Sequence, residues 1–204
     1  MPLQLPVAHL SYNDLRCTAE RFLGKFHPDR SIPIPIEDIL DLDYGIDIIP
    51  TPGLHQAFDM DAFILSDFST IYVDEFVYKS RPNRYRFSLA HEASHVILHQ
   101  RIYEKLQVGT IEEWISTVPT ISEEQYHWIE WQADALAGLI LVPPGELATR
   151  FRKAVARASR AGLSLENATD AARHAIADYL ARQFEVSSQV IDIRARKDTL
   201  WETP

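Results

Sequence analysis

Two histidines four residues apart, His91 and His95, constrain this chain more than any other feature of its sequence. On an α-helix that spacing places both imidazole rings on one face about one turn apart, so both can reach the same metal ion. Glu92 lies about 100° around such a helix from His91 and would stand beside the ion. A carboxylate in this position can accept a proton from a water molecule that the metal has acidified. The pattern predicts a zinc-dependent hydrolase, and among hydrolases a peptidase first.

The residues around this motif are mostly apolar, which predicts a largely buried helix from about Pro82 to Arg101. The apolar positions are Phe87, Leu89, Ala90, Val96, Ile97 and Leu98. Burying imidazole and carboxylate groups costs free energy unless each group has a partner. Histidines on an exposed helix, or hydrogen-bonded within a core, are the alternative to a metal site. A metal ion would satisfy several of these polar groups together, so the metal site is favoured.

The composition is that of an ordinary globular protein, with 204 residues of which 46% are hydrophobic and 24% charged. This length suits one core, with or without a small appendage. The net charge of −9 disfavours direct binding to nucleic acid or to an anionic membrane, because both depend on Lys and Arg. The segment from Arg150 to Arg160 is locally basic despite the acidic total.

The chain has one cysteine, Cys17, which excludes an intrachain disulfide and a thiolate zinc site. A cysteine content this low is typical of a reducing cytoplasm. We expect Cys17 to lie in the core of the first helix. The N-terminus lacks a basic region followed by an apolar run, and no stretch approaches 18 apolar residues. These features predict no signal peptide, no membrane span and a cytoplasmic location.

The first half of the chain alternates between helical and strand patterns. Ser11 is expected to cap a helix that runs to Phe26, and a short helix is expected at Ile36–Leu42. Short apolar runs predict one strand at Ile46–Ile49 and a β-hairpin formed by two strands. The hairpin strands are Ala62–Leu65 and Thr70–Val73, and residues 51 to 61 are expected to form a loop.

The second half is predicted to be mostly helical. Residues 102 to 122 have no clear pattern, and helices are expected over 123–141, 145–158, 168–184 and 187–197. The fold class is therefore α+β, with a short antiparallel sheet packed on the metal-motif helix and a mostly helical C-terminal half. We expect a metallopeptidase domain over residues 1–160 and a helical extension, residues 161–204, packed on the same domain.

A hydrolytic zinc ion normally has three protein ligands and one open position, so two histidines are not enough. The metzincin continuation would need Gly and His where this chain has Leu98 and Arg101, which excludes that class. His99 is eight residues from His91, about 12 Å along the helix axis and about 80° away in phase. It cannot reach the same ion, and we expect a surface or hydrogen-bonded histidine.

The third ligand is expected from the second buried helix. Glu130 and Asp134 lie four residues apart there, and the helix is apolar almost all round, so two solvated acids are the less favoured interpretation. Glu130 is the favoured metal ligand, Asp134 the second choice and His127 a distant third. If Glu130 binds the metal, Asp134 could accept the free N–H of a zinc-bound histidine.

Together these two segments resemble the ImmA/IrrE family of bacterial metallopeptidases. Residues Arg86–His99 match the family pattern R-F-T-L-A-H-E-x-G-H-x-x-L-H, and Glu130–Pro143 match E-x-x-A-N-x-F-A-x-x-L-L-M-P. Weaker similarity extends to 34–39, 44–48 and 184–190. The chain departs from the pattern at Ser94, Asp134 and Leu136, where the family has Gly, Asn and Phe, and none of these changes removes a ligand.

The resemblance implies a compact, zincin-like (gluzincin-like) fold with His91, His95 and Glu130 on Zn²⁺ and Glu92 as the catalytic base. It also implies cleavage of a helix-turn-helix transcriptional repressor, which relieves repression in mobile elements, phage or stress responses. We expect that repressor to be a separate chain. The hairpin edge at Thr70–Val73 could bind the substrate as an added strand.

The competing hypothesis is a non-catalytic, metal-binding regulatory or DNA-associated protein, as in a stress-response or toxin–antitoxin system. It rests on the segment 181–196, whose spacing resembles a helix-turn-helix. The acidic net charge and the apolar positions Phe184, Val186, Val190 and Ile193 favour ordinary helix packing instead.

Overall fold

A computed structural model describes residues 3–163 and 169–202 of the chain. The elements of the first half are α1 (Tyr12–Phe26), α2 (Ile36–Asp38) followed by a π-helical turn (Ile39–Asp43), β1 (Asp47–Thr51), α3 (Leu54–Phe58), β2 (Ala62–Ile64), β3 (Thr70–Asp74), α4 (Glu75–Ser80) and α5 (Pro82–Leu98). The second half contains α6 (Gln100–Leu106), α7 (Ile111–Thr117), a 3-10 turn (Val118–Thr120), α8 (Glu123–Leu141), α9 (Pro144–Arg160), α10 (Thr169–Phe184), α11 (Ser188–Lys197) and a 3-10 turn (Leu200–Glu202). The predicted α+β class is confirmed.

Helix α1 begins at the predicted cap. The Asp14 N–H donates to the Ser11 hydroxyl at 3.2 Å, and the Ser11 N–H donates to the Asp14 carboxylate at 2.9 Å, which together form a capping box. The buried face of α1 consists of Leu15, Ala19, Phe22 and Leu23. Cys17 is exposed, so its predicted place in the core is wrong. The reason is helical phase, because a residue two positions after Leu15 points about 200° away from it.

The sheet is mixed, with the strand order β1-β3-β2. Strands β2 and β3 form the predicted antiparallel hairpin, whereas β1 pairs in parallel with β3. The predicted substrate-binding edge at Thr70–Val73 is therefore wrong, because β3 is the central strand and has a neighbour on each side. Its side chains Ile71 and Val73 are fully buried. Residues 51–61, predicted as a loop, contain α3.

Helices α5 and α8 pack directly against each other at the centre of the molecule. Helix α8 has the bounds that the sequence predicts. Helix α5 ends at Leu98, earlier than predicted, because the backbone of His99 leaves the helical region at φ −116° and ψ 18°. Residues 102–122, which the sequence left unassigned, hold the end of α6, helix α7 and a 3-10 turn.

The C-terminal helices pack on the same body. Helix α9 contacts α10, and α11 contacts both α10 and α8. The predicted bounds of these helices agree with the structure to within two residues, although Ala168, the predicted first residue of α10, lies outside the described residues. The division of the chain at residues 160 and 161 stays a prediction. Among the described residues, no helix is both long enough and apolar enough to cross a lipid bilayer.

Candidate metal centre

The packing of α5 against α8 brings three predicted site residues together. The His91 and His95 Nε2 atoms are 3.1 Å apart, and the Glu130 carboxylate lies 3.3 Å from His91 Nε2 and 3.8 Å from His95 Nε2. One ligand atom from each residue lies within 4.8 Å of the others. Two ligands of a tetrahedral zinc ion are about 3.3 Å apart, given Zn–N and Zn–O distances near 2.1 Å. The separations are those of a metal site.

The donor chemistry of this cluster also fits a metal ion. His91 Nδ1 lies 2.9 Å from an Asp134 carboxylate oxygen. A carboxylate only accepts hydrogen bonds, so His91 Nδ1 carries the hydrogen and Nε2 of the neutral ring holds a lone pair. That lone pair faces the Glu130 carboxylate, which is also an acceptor. Acceptor atoms this close repel each other unless a proton or a metal ion lies between them, so His91, His95 and Glu130 could hold a metal.

The ionisation of the two histidines differs. Burial lowers the pKa of His91, but hydrogen bonds to Asp134 and Glu130 and the charges of Glu92 and Glu130 together raise it well above its usual value. Burial and the neighbouring histidines hold the pKa of His95 well below its usual value. A proton on His91 and a metal ion therefore compete for the same lone pair.

Glu92 lies beside the cluster without belonging to it. Its side chain is buried, and one of its oxygens accepts a hydrogen bond from the Ile64 N–H at 3.1 Å. Burial and the charge of Glu130 raise the pKa of Glu92 to about 7, against the opposing effects of His91 and the Ile64 N–H. A carboxyl group with a pKa near neutrality can both accept and release a proton at ordinary pH.

A cavity of about 300 Å³ opens over these residues. Two tyrosines that sequence reasoning missed, Tyr103 and Tyr126, line it. Burial and the charges of Glu92 and Glu130 raise the pKa of Tyr103 above its usual value and that of Tyr126 to about 12. Both hydroxyl groups therefore stay protonated and can donate hydrogen bonds. Tyr103 lies in the unassigned segment, and neither tyrosine has a sequence spacing that links it to the metal motif.

Strand β2 lies at the edge of the sheet and borders this cavity. The Leu65 N–H donates to the Thr70 carbonyl at 3.1 Å, so odd-numbered residues of this segment direct their backbone groups to β3. The backbone groups of Ala62 and Ile64 therefore point away from β3. The Ile64 N–H donates to Glu92, and Ile64 is fully buried, so the backbone groups left at this edge beside the cavity are those of Ala62.

A second and larger cavity, of about 750 Å³, adjoins the first. It lies between the start of α5, helix α8 and helix α11, and Phe87 and Asp134 line both cavities. Its lining is mainly apolar and includes Ala135, Val190 and Ile193. The two cavities therefore meet at Phe87 and Asp134, and the metal cluster lines the smaller one.

The remaining predicted residues have distinct places. Asp134 contacts His91 from outside the cluster, where a residue that supports a metal ligand would lie. His127 is exposed and does not join the cluster. His99, expected to be a surface or hydrogen-bonded residue, is buried and hydrogen-bonded to His95 at 2.9 Å and to Gln132 at 3.1 Å. Burial lowers the pKa of His99 to about 4.

Comparison with solved structures identifies a protein of similar fold. A transcriptional regulator of Mycobacterium tuberculosis has a similar structure, with a TM-score of 0.53 and 16% sequence identity. The alignment covers 88% of this chain and 45% of the regulator, so the chain spans less than half the length of that protein. At this identity the likeness shows a shared fold alone. No curated protein sequence matches the chain significantly.

The family assignment comes from the sequence profile of the IrrE N-terminal-like domain, Peptidase_M78, which matches residues 43–196. This range contains α5, α8 and every residue of the metal cluster. It confirms the resemblance that the two motifs indicate. The chain therefore belongs to the Peptidase_M78 family of IrrE N-terminal-like domains and contains a metallopeptidase-like domain.

Proposed function

We propose that this chain is a zinc-dependent endopeptidase that cleaves a regulatory protein. The observation that carries the proposal is that one cavity contains both a cluster of metal-binding side chains and a separate carboxyl group that can act as a base. His91, His95 and Glu130 offer three converging metal-binding atoms, and Glu92 offers a buried carboxyl group beside them. Two nitrogens and one carboxylate oxygen form the ligand set that Zn²⁺ takes in peptidases with an open fourth position.

The residues around the cavity have different roles in the proposed hydrolysis. Bound at the cluster, zinc would lower the pKa of a water molecule and polarise the scissile carbonyl. Glu92 accepts a proton from the attacking water and delivers it to the amide nitrogen as the C–N bond breaks. Tyr103 and Tyr126 line the cavity, and their hydroxyl groups could donate hydrogen bonds to the carbonyl oxygen as it gains negative charge.

A polypeptide substrate is favoured over a small molecule. The backbone of Ala62, at the edge of the sheet and in the lining of the cavity, could pair with an extended peptide, as in other proteins that bind a peptide by adding a strand. The adjoining cavity extends the binding surface beyond the residues that flank the scissile bond. Together they support an endopeptidase, because a substrate that occupied both would extend well beyond the scissile bond.

A helix-turn-helix repressor, encoded as a separate chain, is the substrate that the family resemblance implies. The fold shared with a transcriptional regulator is consistent with a role in transcription. The net charge of −9 argues against direct binding of this chain to DNA. The regulatory hypothesis, in which the metal is structural, predicts bound zinc without cleavage.

The proposal is tested by zinc content and cleavage measured on one preparation. Glu130→Ala should weaken zinc binding by about 100-fold or more, since losing a ligand exceeds the tenfold to 100-fold loss typical of an outer residue. Cleavage of a co-encoded helix-turn-helix repressor should fail in the same variant. Glu124→Ala, at an exposed position on the same helix, is the matched control and should bind zinc and cleave normally. A wild-type chain without zinc would refute the proposal.

The adjoining cavity gives a separate prediction about long substrates. Ile193, 49% exposed on α11, is expected to contact the substrate, and Ile193→Glu should raise KM for a long polypeptide about five- to tenfold. A short peptide that fills only the metal cavity should be cleaved at the wild-type rate, and zinc content should not change. Ile49→Glu, at a residue of similar exposure (42%) on β1, should leave both KM values unchanged. Equal changes in KM in the two variants would show that this cavity does not bind the substrate.

A further inference from the structure

A line of buried hydrogen bonds leads away from the metal cluster. His95 Nδ1 lies 2.9 Å from His99 Nδ1, and His99 Nε2 lies 3.1 Å from the Gln132 side-chain oxygen. The Gln132 amide nitrogen then donates to the Ala8 carbonyl at 2.6 Å. His95, His99 and Gln132 are each at most 2% exposed, so water cannot replace these contacts easily.

The Ala8 carbonyl determines which atom donates in each of these hydrogen bonds. The Ala8 carbonyl only accepts, so the amide nitrogen of Gln132 faces it and the amide oxygen faces His99. That oxygen also only accepts, so His99 carries its hydrogen on Nε2. In a neutral His99 the Nδ1 atom then holds a lone pair, and it accepts a hydrogen bond from His95 Nδ1–H.

This arrangement decides which tautomer of His95 exists. With its hydrogen on Nδ1, His95 presents a lone pair at Nε2, the atom that lies 3.1 Å from His91 Nε2 in the cluster. The opposite tautomer would direct an N–H into the place of the metal. We propose that His99 and Gln132 are positioning residues, which hold His95 in its metal-binding tautomer and orientation. The Ala8 carbonyl sets the direction of their hydrogen bonds.

The N-terminal segment is thereby part of the support of the metal centre. Its backbone is held at further points, since Gln125 exchanges hydrogen bonds with the N–H and carbonyl of Leu5 at 3.2 and 2.9 Å. The Leu3 N–H donates to the Thr120 carbonyl at 2.7 Å. These contacts fix the position of the Ala8 carbonyl relative to α8. The hydrogen bonds through Gln132 and His99 then connect that carbonyl to the metal ligand His95 on α5.

The inference rests on the proposed metal site but is tested without peptide cleavage. Zinc affinity of the full-length chain is measured by competition with a chromophoric chelator. His99→Phe keeps the ring volume but removes both nitrogens, and it should weaken zinc binding about 10- to 100-fold. His99→Asn should restore most of the affinity, because its amide oxygen can accept from His95 Nδ1–H. Gln132→Met, which removes the amide at similar volume, should cause a smaller loss.

Two further measurements distinguish an effect of the His99 hydrogen bonds from an effect of its side-chain packing. His174→Phe, the same substitution at an exposed histidine on α10, should leave zinc affinity unchanged. In ¹⁵N NMR spectra of the zinc-loaded chain, His99 should be protonated at Nε2 and unprotonated at Nδ1.

The outcomes are distinct. Wild-type zinc affinity in His99→Phe, failure of His99→Asn to restore affinity, or a hydrogen on His99 Nδ1 would each overturn the inference and leave the peptidase proposal standing. A wild-type chain that binds no zinc would overturn both.

Discussion

Replacing Glu92 with glutamine should lower kcat by about 10²- to 10⁴-fold while zinc binding stays at the wild-type level. Glutamine has nearly the same shape, and its amide oxygen can still accept the Ile64 N–H that holds the native carboxylate at 3.1 Å. The variant keeps the fold around the cavity but cannot accept a proton from water. The loss should therefore appear in kcat, with little change in KM.

The expected result separates catalysis from metal binding. Zinc content and kcat are measured on the same sample, beside Glu104→Gln, which makes the same change at an exposed position on α6. The control should keep full turnover, and the loss of turnover in Glu92→Gln would exclude cleavage by a contaminating protease. If Glu92→Gln kept more than a tenth of the wild-type kcat, another group would be the base. If it lost zinc, Glu92 would belong to the metal site itself.

The parts of the site that sequence predicted are those fixed by local geometry. His91 and His95 share a face because one helical turn separates them, and the same rule applies to Glu130 and Asp134 on α8. The need for a third ligand already favours Glu130 from the second buried helix, and the resemblance to a family strengthens that assignment, although no spacing within either helix encodes their packing. The predicted four residues then lie together because α5 and α8 are neighbours.

The parts that sequence missed depend on contacts between distant segments. Gln132 is an ordinary polar residue in the sequence, and only packing brings it within 3.1 Å of His99. Tyr103 lies in the segment without a recognisable pattern, and Tyr126 lies on the predicted helix α8 at a spacing that does not link it to the metal motif. The order of the strands is similar, because a hairpin can be inferred from adjacent runs, whereas the parallel pairing of β1 with β3 is a non-local choice. Because the sequence does not predict this pairing, it wrongly indicates that Thr70–Val73 forms an edge of the sheet.

Arg194 → Ala should destabilise the fold by about 3–5 kcal/mol, as expected when one partner of a buried ion pair is removed. The side chain is 2% exposed and donates to the Val142 carbonyl at 3.3 Å and to Asp198 at 2.9 Å. It also donates to the Tyr12 hydroxyl, so one guanidinium group joins α11 to the end of α8 and to α1. In a chain of this length the melting temperature should fall by roughly 6–20 °C.

The close packing around this arginine explains why smaller changes there should also matter. A Cβ added at Gly138 would lie 3.3 Å from Arg194 Cδ, so α8 has a glycine where the arginine crosses it. Arg194→Lys keeps the charge but loses the forked geometry that serves several acceptors, and an intermediate loss is expected. A buried guanidinium is also unavailable to a DNA phosphate, which weakens the basis for assigning 181–196 to DNA binding.

The matched control lies two residues away on the same helix. Arg196, with a side chain 70% exposed, pairs with Asp192 at 2.6 Å, and Arg196→Ala should change stability by less than about 1 kcal/mol. Thermal melts of the three variants should therefore rank Arg194→Ala as the least stable, then Arg194→Lys, with Arg196→Ala close to wild type. Equal melting temperatures for Arg194→Ala and Arg196→Ala would mean that burial does not set the contribution of Arg194. The junction of α1, α8 and α11 would then be held by its apolar contacts alone.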